Sequence, residues 1–237
     1  MTTTLSRRSA AEFLGTALLV AAVVGSGIMG ESLSAGNAAL ALLANTIATG
    51  AALVALILAF GPISGAHLNP AVSIAAMIER SLRRRDAAAY LAAQATGGIA
   101  GVILAHLMFQ LPAIQVSRHA RSGPAQALSE FVATFGLLAT IHGVSRSRAH
   151  VAAFAVAAYI TSAYWFTAST SFANPAVTVA RALSDTFAGI RPLDVPQFVI
   201  AQLAGALAAT FLFRWLAPLP RSGDRVVSGG ASRSTSM

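Results

Sequence analysis

The chain has 237 residues, of which 56% are hydrophobic and 10% charged; a soluble domain carries about 25% charged residues, so this is membrane composition. The net charge of +8 rests on Arg alone, since no Lys occurs, and no stretch between the apolar segments is long enough to fold as a nucleic-acid-binding domain. With no Cys in the chain, disulfide frameworks and thiol chemistry are excluded.

In chain order, residues 1–8 read as a cytoplasmic N-terminus. Ser6-Arg7-Arg8 faintly resembles a twin-Arg export signal, but its spacing to Phe13-Leu14 is wrong and Glu12 interrupts the approach to the apolar core. An uncleaved first transmembrane helix is expected instead. Full spans are expected near 9–29, 38–60, 87–110, 126–145, 150–168 and 195–217, each close to the roughly 20 residues that cross a hydrocarbon core. Two apolar stretches, 69–79 and 174–184, are too short to span. Each follows a Gly- or Ser-rich turn, Gly61-Pro62-Ile63-Ser64-Gly65 and Ser169-Thr170-Ser171. Residues 218–237 form a Ser-, Gly- and Arg-rich cytoplasmic tail expected to be disordered.

The two short stretches open identically. Asn69-Pro70-Ala71 and Asn174-Pro175-Ala176 sit in matching frames, each followed by Val and a hydroxyl residue. Asn caps free N–H groups, and Pro at the first helical position gives up no hydrogen bond, so each is a helix start. The repetition extends further: Glu12-Phe13 matches Glu130-Phe131, and Gln94-Ala95-Thr96-Gly97 matches Gln202-Leu203-Ala204-Gly205. Three spans per half is an odd number, so the second half is inverted relative to the first. An all-α membrane protein follows, with six transmembrane helices and two half-helices meeting near mid-bilayer. Its halves are 9–110 and 126–217.

Arg placement sets the orientation. Arg7, Arg8, Arg80, Arg83, Arg84, Arg85, Arg146, Arg148, Arg214, Arg221, Arg225 and Arg233 fall on one side. Arg118, Arg121, Arg181 and Arg191 fall on the other. Twelve against four puts both termini in the cytoplasm.

Asn69 and Asn174 carry the functional signal. Each caps a half-helix while its side-chain amide offers a donor to the lumen, where the positive ends of both half-helix dipoles converge. A solute oxygen passing there must turn toward both amides, which breaks a proton-conducting chain of waters, and the same field repels cations.

With the doubled motif, the paired Glu residues and the Gly65-Ala66-His67-Leu68-Asn69 lead-in, the chain resembles the major intrinsic protein family, the aquaporins and aquaglyceroporins, over about 9–217. The resemblance implies one pore per subunit and a homotetramer in a bilayer, here a bacterial cytoplasmic (inner) membrane. It also implies that Glu12 and Glu130 accept hydrogen bonds from the irregular backbone leading into the half-helices. His67 would brace the first pore loop and border the lumen. Metal ligation by His67 is disfavoured by the lack of a second ligand near it, and no cofactor is implied.

In the family, four positions outward of the Asn pair narrow the pore. Counting from the Asn anchors without gaps gives Thr49, Ser162, Ser171 and Val177. Most relatives place a large aromatic at the first and an Arg directly after the second Asn-Pro-Ala; Thr49 and Val177 stand here. Three small hydroxyl residues and a Val predict a wide, neutral constriction with weak discrimination among solutes larger than water. The Asp that usually follows that Arg in glycerol facilitators is Thr178 here, which speaks against a dedicated glycerol role. Arg181 lies about 6 Å beyond Val177 on the same helical face at 1.5 Å per residue. It is a candidate outer-vestibule charge; the plainer placement has it snorkelling to headgroups near Asp185. Tyr164-Trp165-Phe166 reads as a packed or interfacial aromatic cluster.

A filter without aromatic or Arg resembles bacterial members associated with arsenic resistance, which implies arsenious acid and related arsenicals as solutes beside glycerol-like polyols and water. The expected function is a passive channel for small uncharged solutes. The alternatives are a coupled transporter in which Glu12 or Glu130 titrates, an orthodox water channel, and a structural tetramer with a closed pore. No nucleophile–base set, phosphate loop or metal cluster points to an enzyme.

Overall fold

The computed structural model describes residues 3–145 and 148–217. The expected tail, 218–237, and Arg146 of the fourth-to-fifth-span loop lie outside the described residues.

Among the described residues, all regular structure is helical. In chain order the elements are α1 (Leu5–Leu33), α2 (Ala38–Ser64), α3 (Pro70–Ile78), α4 (Arg84–Met108), α5 (Pro124–Ser145), α6 (Ala152–Phe166), α7 (Pro175–Arg181) and α8 (Val195–Leu216), with single 3₁₀ turns at Ala149–Val151 and Pro192–Asp194. Six of these helices are long and apolar enough to cross a membrane; α3 and α7 are the half-helices.

Each half builds the same packing. In the first, α1 lies against α4 and α2; in the second, α5 lies against α8 and α6. Glycine makes the α1–α4 and α5–α8 crossings close enough: a Cβ on Gly97 would collide with the Phe13 carbonyl oxygen, and one on Gly205 with that of Phe131. Phe13 and Phe131 each follow the buried Glu of their half, so the two crossings are copies of one contact. Small residues at such crossings allow the van der Waals packing that holds helices together in lipid.

α1 runs four residues beyond the expected 9–29 at each end, and the boundaries beside the two half-helices also differ from expectation. The turn expected at 61–65 is the last turn of α2, which carries Pro62 internally and ends at Gly65 with φ +90°. Proline removes its own N–H from the ladder, but the Gly65 N–H still closes on the Gly61 carbonyl. At the other half-helix, α7 stops at Arg181 rather than near 184. There the bonds tighten to three-residue spacing, Ala182 N–H to Val179 O and Leu183 N–H to Ala180 O, the form in which helices commonly end.

Candidate solute pore

The pore loops are built by the two buried glutamates. Glu12 accepts from the backbone N–H of His67 (2.9 Å) and Leu68 (2.7 Å), from Ser64 Oγ (2.6 Å) and from Gln94 Nε2 (2.8 Å). Glu130 accepts from the N–H of Phe172 and Ala173, both 2.9 Å, and from Gln202 Nε2 at 2.6 Å. The same glutamines reach on to the hydroxyl after each motif, Gln94 to Ser73 Oγ and Gln202 to Thr178 Oγ1. Thr178 is thus the copy of Ser73 in this brace, which fixes the second half-helix to α8.

These carboxylates hold backbone that would not stay folded alone. Gly65, Ala66 and Leu68 have positive φ, and so do their counterparts Thr170, Ser171 and Ala173. A non-glycine residue in this region costs on the order of 1 kcal/mol or more, so the surroundings must impose it. The result is that successive N–H groups turn toward the glutamates.

At the centre the half-helices meet tip to tip. Asn69 Oδ1 caps the Ala71 N–H, and Asn174 Oδ1 caps those of Ala176 and Val177. The amides then cross over: Asn69 Nδ2 donates to Ala173 O and Asn174 Nδ2 to Leu68 O, both at 2.8 Å. Each NH₂ has two donors, so one locks the opposite loop and the second is left for the lumen that both residues border.

A continuous cavity of about 520 Å³ runs past this junction. On one side of the asparagines its wall includes Thr49, Tyr164, Ser171, Phe172, Val177 and Arg181; on the other it includes His67, Glu79, His142 and Ser145. His67 Nδ1 lies 3.1 Å from Ser73 Oγ, and its ring meets Tyr90 edge-on.

Three of the four counted filter positions, Thr49, Ser171 and Val177, border the cavity; Ser162 does not. Ser162 is exposed on the outer side of α6, its Oγ donating back to the Tyr159 carbonyl. The pore-facing stripe of α6 is Val156, Ile160 and Tyr164, spaced by four residues, whereas a step of two turns a side chain to the far side. Of the three aromatics expected to be packed or interfacial, Trp165 and Phe166 are exposed and Tyr164 is packed. It is buried, and its hydroxyl donates to Thr49 Oγ1 at 3.2 Å. A buried phenol needs such a partner, a signal that the sequence reading passed over.

Arg181 also differs from the plainer expectation. It is 2% exposed, so it does not reach for headgroups. Its Nε donates to the Ala188 carbonyl and its guanidinium carbon lies 3.4 Å from the Phe172 ring centroid. Asp185 is taken by Arg118, through the backbone N–H at 2.8 Å and Nε at 2.9 Å, which holds its carboxyl below the usual carboxylate range. The sequence reading also missed Glu79 and His142, which approach to 3.3 Å at the opposite mouth. They lie 63 positions apart, with no local motif to join them.

The family model for Major intrinsic protein matches residues 1–153 and 144–235. Among known proteins, the chain is 60% identical over 212 residues to Aquaglyceroporin AqpS of Rhizobium meliloti (strain 1021), covering 90% of this chain and 91% of the relative. It is 33% identical over 246 residues to the Probable aquaporin AqpM of Archaeoglobus fulgidus, covering 92% and 99%. Its fold is similar to the X-ray structure of the aquaglyceroporin from Plasmodium falciparum, with TM-score 0.69 over 91% of this chain and 98% of that one, at 21% identity. These proteins are membrane channels and not enzymes. The chain belongs to the major intrinsic protein family.

Proposed function

We propose that the chain is a passive channel for small uncharged hydroxylated solutes: glycerol-like polyols, arsenious acid and related arsenicals, and water. One observation carries this reading. At the three counted positions that border the lumen outward of the asparagines, the side chains are small, Thr49, Ser171 and Val177, and the wall is completed by Tyr164, Phe172 and Arg181. A solute of polyol size finds hydrogen-bond partners in Thr49 Oγ1, Tyr164 Oη and the free N–H donors of Asn69 and Asn174. The Asn-Pro-Ala pair (Pro70, Ala71 and Pro175, Ala176) supplies the rigid centre, and Glu12, Glu130 and His67 hold the loops that carry it.

Saturation of Glu12 and Glu130 by fixed donors supports a structural role for them over a titrating one. A channel then gives glycerol entry linear in concentration and indifferent to an imposed proton gradient, measured in proteoliposomes. Saturable uptake that follows the gradient would replace this reading with coupled transport. The excess of Arg on one side supports an inner-membrane protein with both termini in the cytoplasm. Outward apolar residues such as Ile47, Phe154 and Trp165 supply surface for lipid and for the neighbours of a homotetramer.

A further inference from the structure

We infer that Arg181 supplies the cation-excluding charge of this pore, one helical turn outward of the position that Val177 fills beside the second Asn-Pro-Ala. The inference rests on the channel reading above. It starts from an imbalance: a guanidinium that is 2% exposed has no carboxylate within ion-pair distance among the described residues. Burying an uncompensated cation is costly and is kept only where the surroundings hold it.

They hold it by geometry. The Ala188 carbonyl takes the Nε–H, and the face of Phe172 lies under the guanidinium carbon at 3.4 Å, a cation–π arrangement. Nε is one of five N–H donors on the fork, and Arg181 forms part of the cavity wall, so the remaining donors are offered to whatever passes. Ser171, 2% exposed, belongs to the same wall, with its Oγ buried and without a protein partner. A second guanidinium lies near the same ring. Arg121 lies 5.1 Å from the Phe172 centroid and is pinned by the carbonyls of Gly189 and Ser169. Two guanidinium groups thus lie against Phe172, and the one that also lines the lumen is Arg181. Field lines from fixed charges in a low-dielectric wall focus into the lumen. A hydroxylated neutral solute accepts from Arg181, while a hydronium or alkali cation meets its positive charge.

The test uses the full chain in proteoliposomes, with proton leak, sodium leak and glycerol entry measured on the same vesicles. Arg181→Gln is expected to raise proton and sodium leak by about tenfold or more, with glycerol entry retained and faster. Moving the guanidinium inward, as Val177→Arg in the Arg181→Gln background, is expected to return the leak to the starting value and to slow glycerol. If Arg181→Gln does not reach the membrane, Arg181→Met, which still packs on Phe172, takes its place with the same expectations. Glycerol entry with an unchanged leak in the charge-free variant would overturn the inference and leave the channel reading standing. Absence of any solute entry in the parent protein would overturn both.

Discussion

At the residue scale, the pore depends on a few side chains whose work is separable. Ser162 faces away from the cavity while Tyr164 lines it and bonds Thr49. Ser162→Ala is therefore expected to leave glycerol entry unchanged, and Tyr164→Ala to raise the size of solute admitted; light-scattering traces on the two variants check both. Glu130→Gln replaces one acceptor oxygen with an NH₂ facing backbone donors, leaving a buried group unsatisfied at a cost of about 1–3 kcal/mol. A lowered thermal midpoint in detergent, with Glu12→Gln behaving alike, is the expected result. The Asn-Pro-Ala residues were legible in the sequence because helix capping is local chemistry. Ser162 was misplaced because a count from Asn174 back through the turn at 167–171 carries no information on which face of α6 the chain resumes. Arg181 was drawn toward Asp185 by proximity in sequence, whereas the partner of Asp185 is Arg118, 67 residues upstream.

At the element scale, the half-helices are stable because each is tied at both ends of its first turn. The Asn side chain caps the N–H groups, and the Glu–Gln–hydroxyl relay anchors the same turn to a full span. Isolated helices this short do not persist in water, so tertiary anchoring must supply the difference. The α5–α8 crossing is the matching contact between full spans. Gly205→Val forces a side chain into the Phe131 carbonyl, and overpacking of this kind costs about 1–3 kcal/mol. A fall in the yield of folded protein by size-exclusion chromatography is expected, with Gly97→Val giving the same fall through Phe13. Periodicity and length made the six spans visible in the sequence. The end of α2 was not, because Gly and Pro at 61–65 carry turn chemistry that the Gly65 cap confines to the last residue.

At the scale of the whole molecule, duplication explains why two weak signals become one site. Neither half closes a pore: each supplies one asparagine, one braced loop and one half-helix, and the loops lock across the repeat through Asn69 to Ala173 and Asn174 to Leu68. The lumen inherits the near-symmetry at its centre and loses it at its mouths, where Arg181 on one side and Glu79 with His142 on the other have no counterparts. On the proposed channel reading, selectivity is set outward of the shared centre, by Thr49 of the first half with Tyr164, Val177 and Arg181 of the second. Stopped-flow swelling of proteoliposomes against urea, glycerol, arsenious acid and a larger polyol tests this most directly, with the parent chain beside Val177→Arg. Fast entry of glycerol and arsenious acid, reduced by about tenfold in the variant, is the predicted result. Water entry with every one of those solutes excluded would contradict the account.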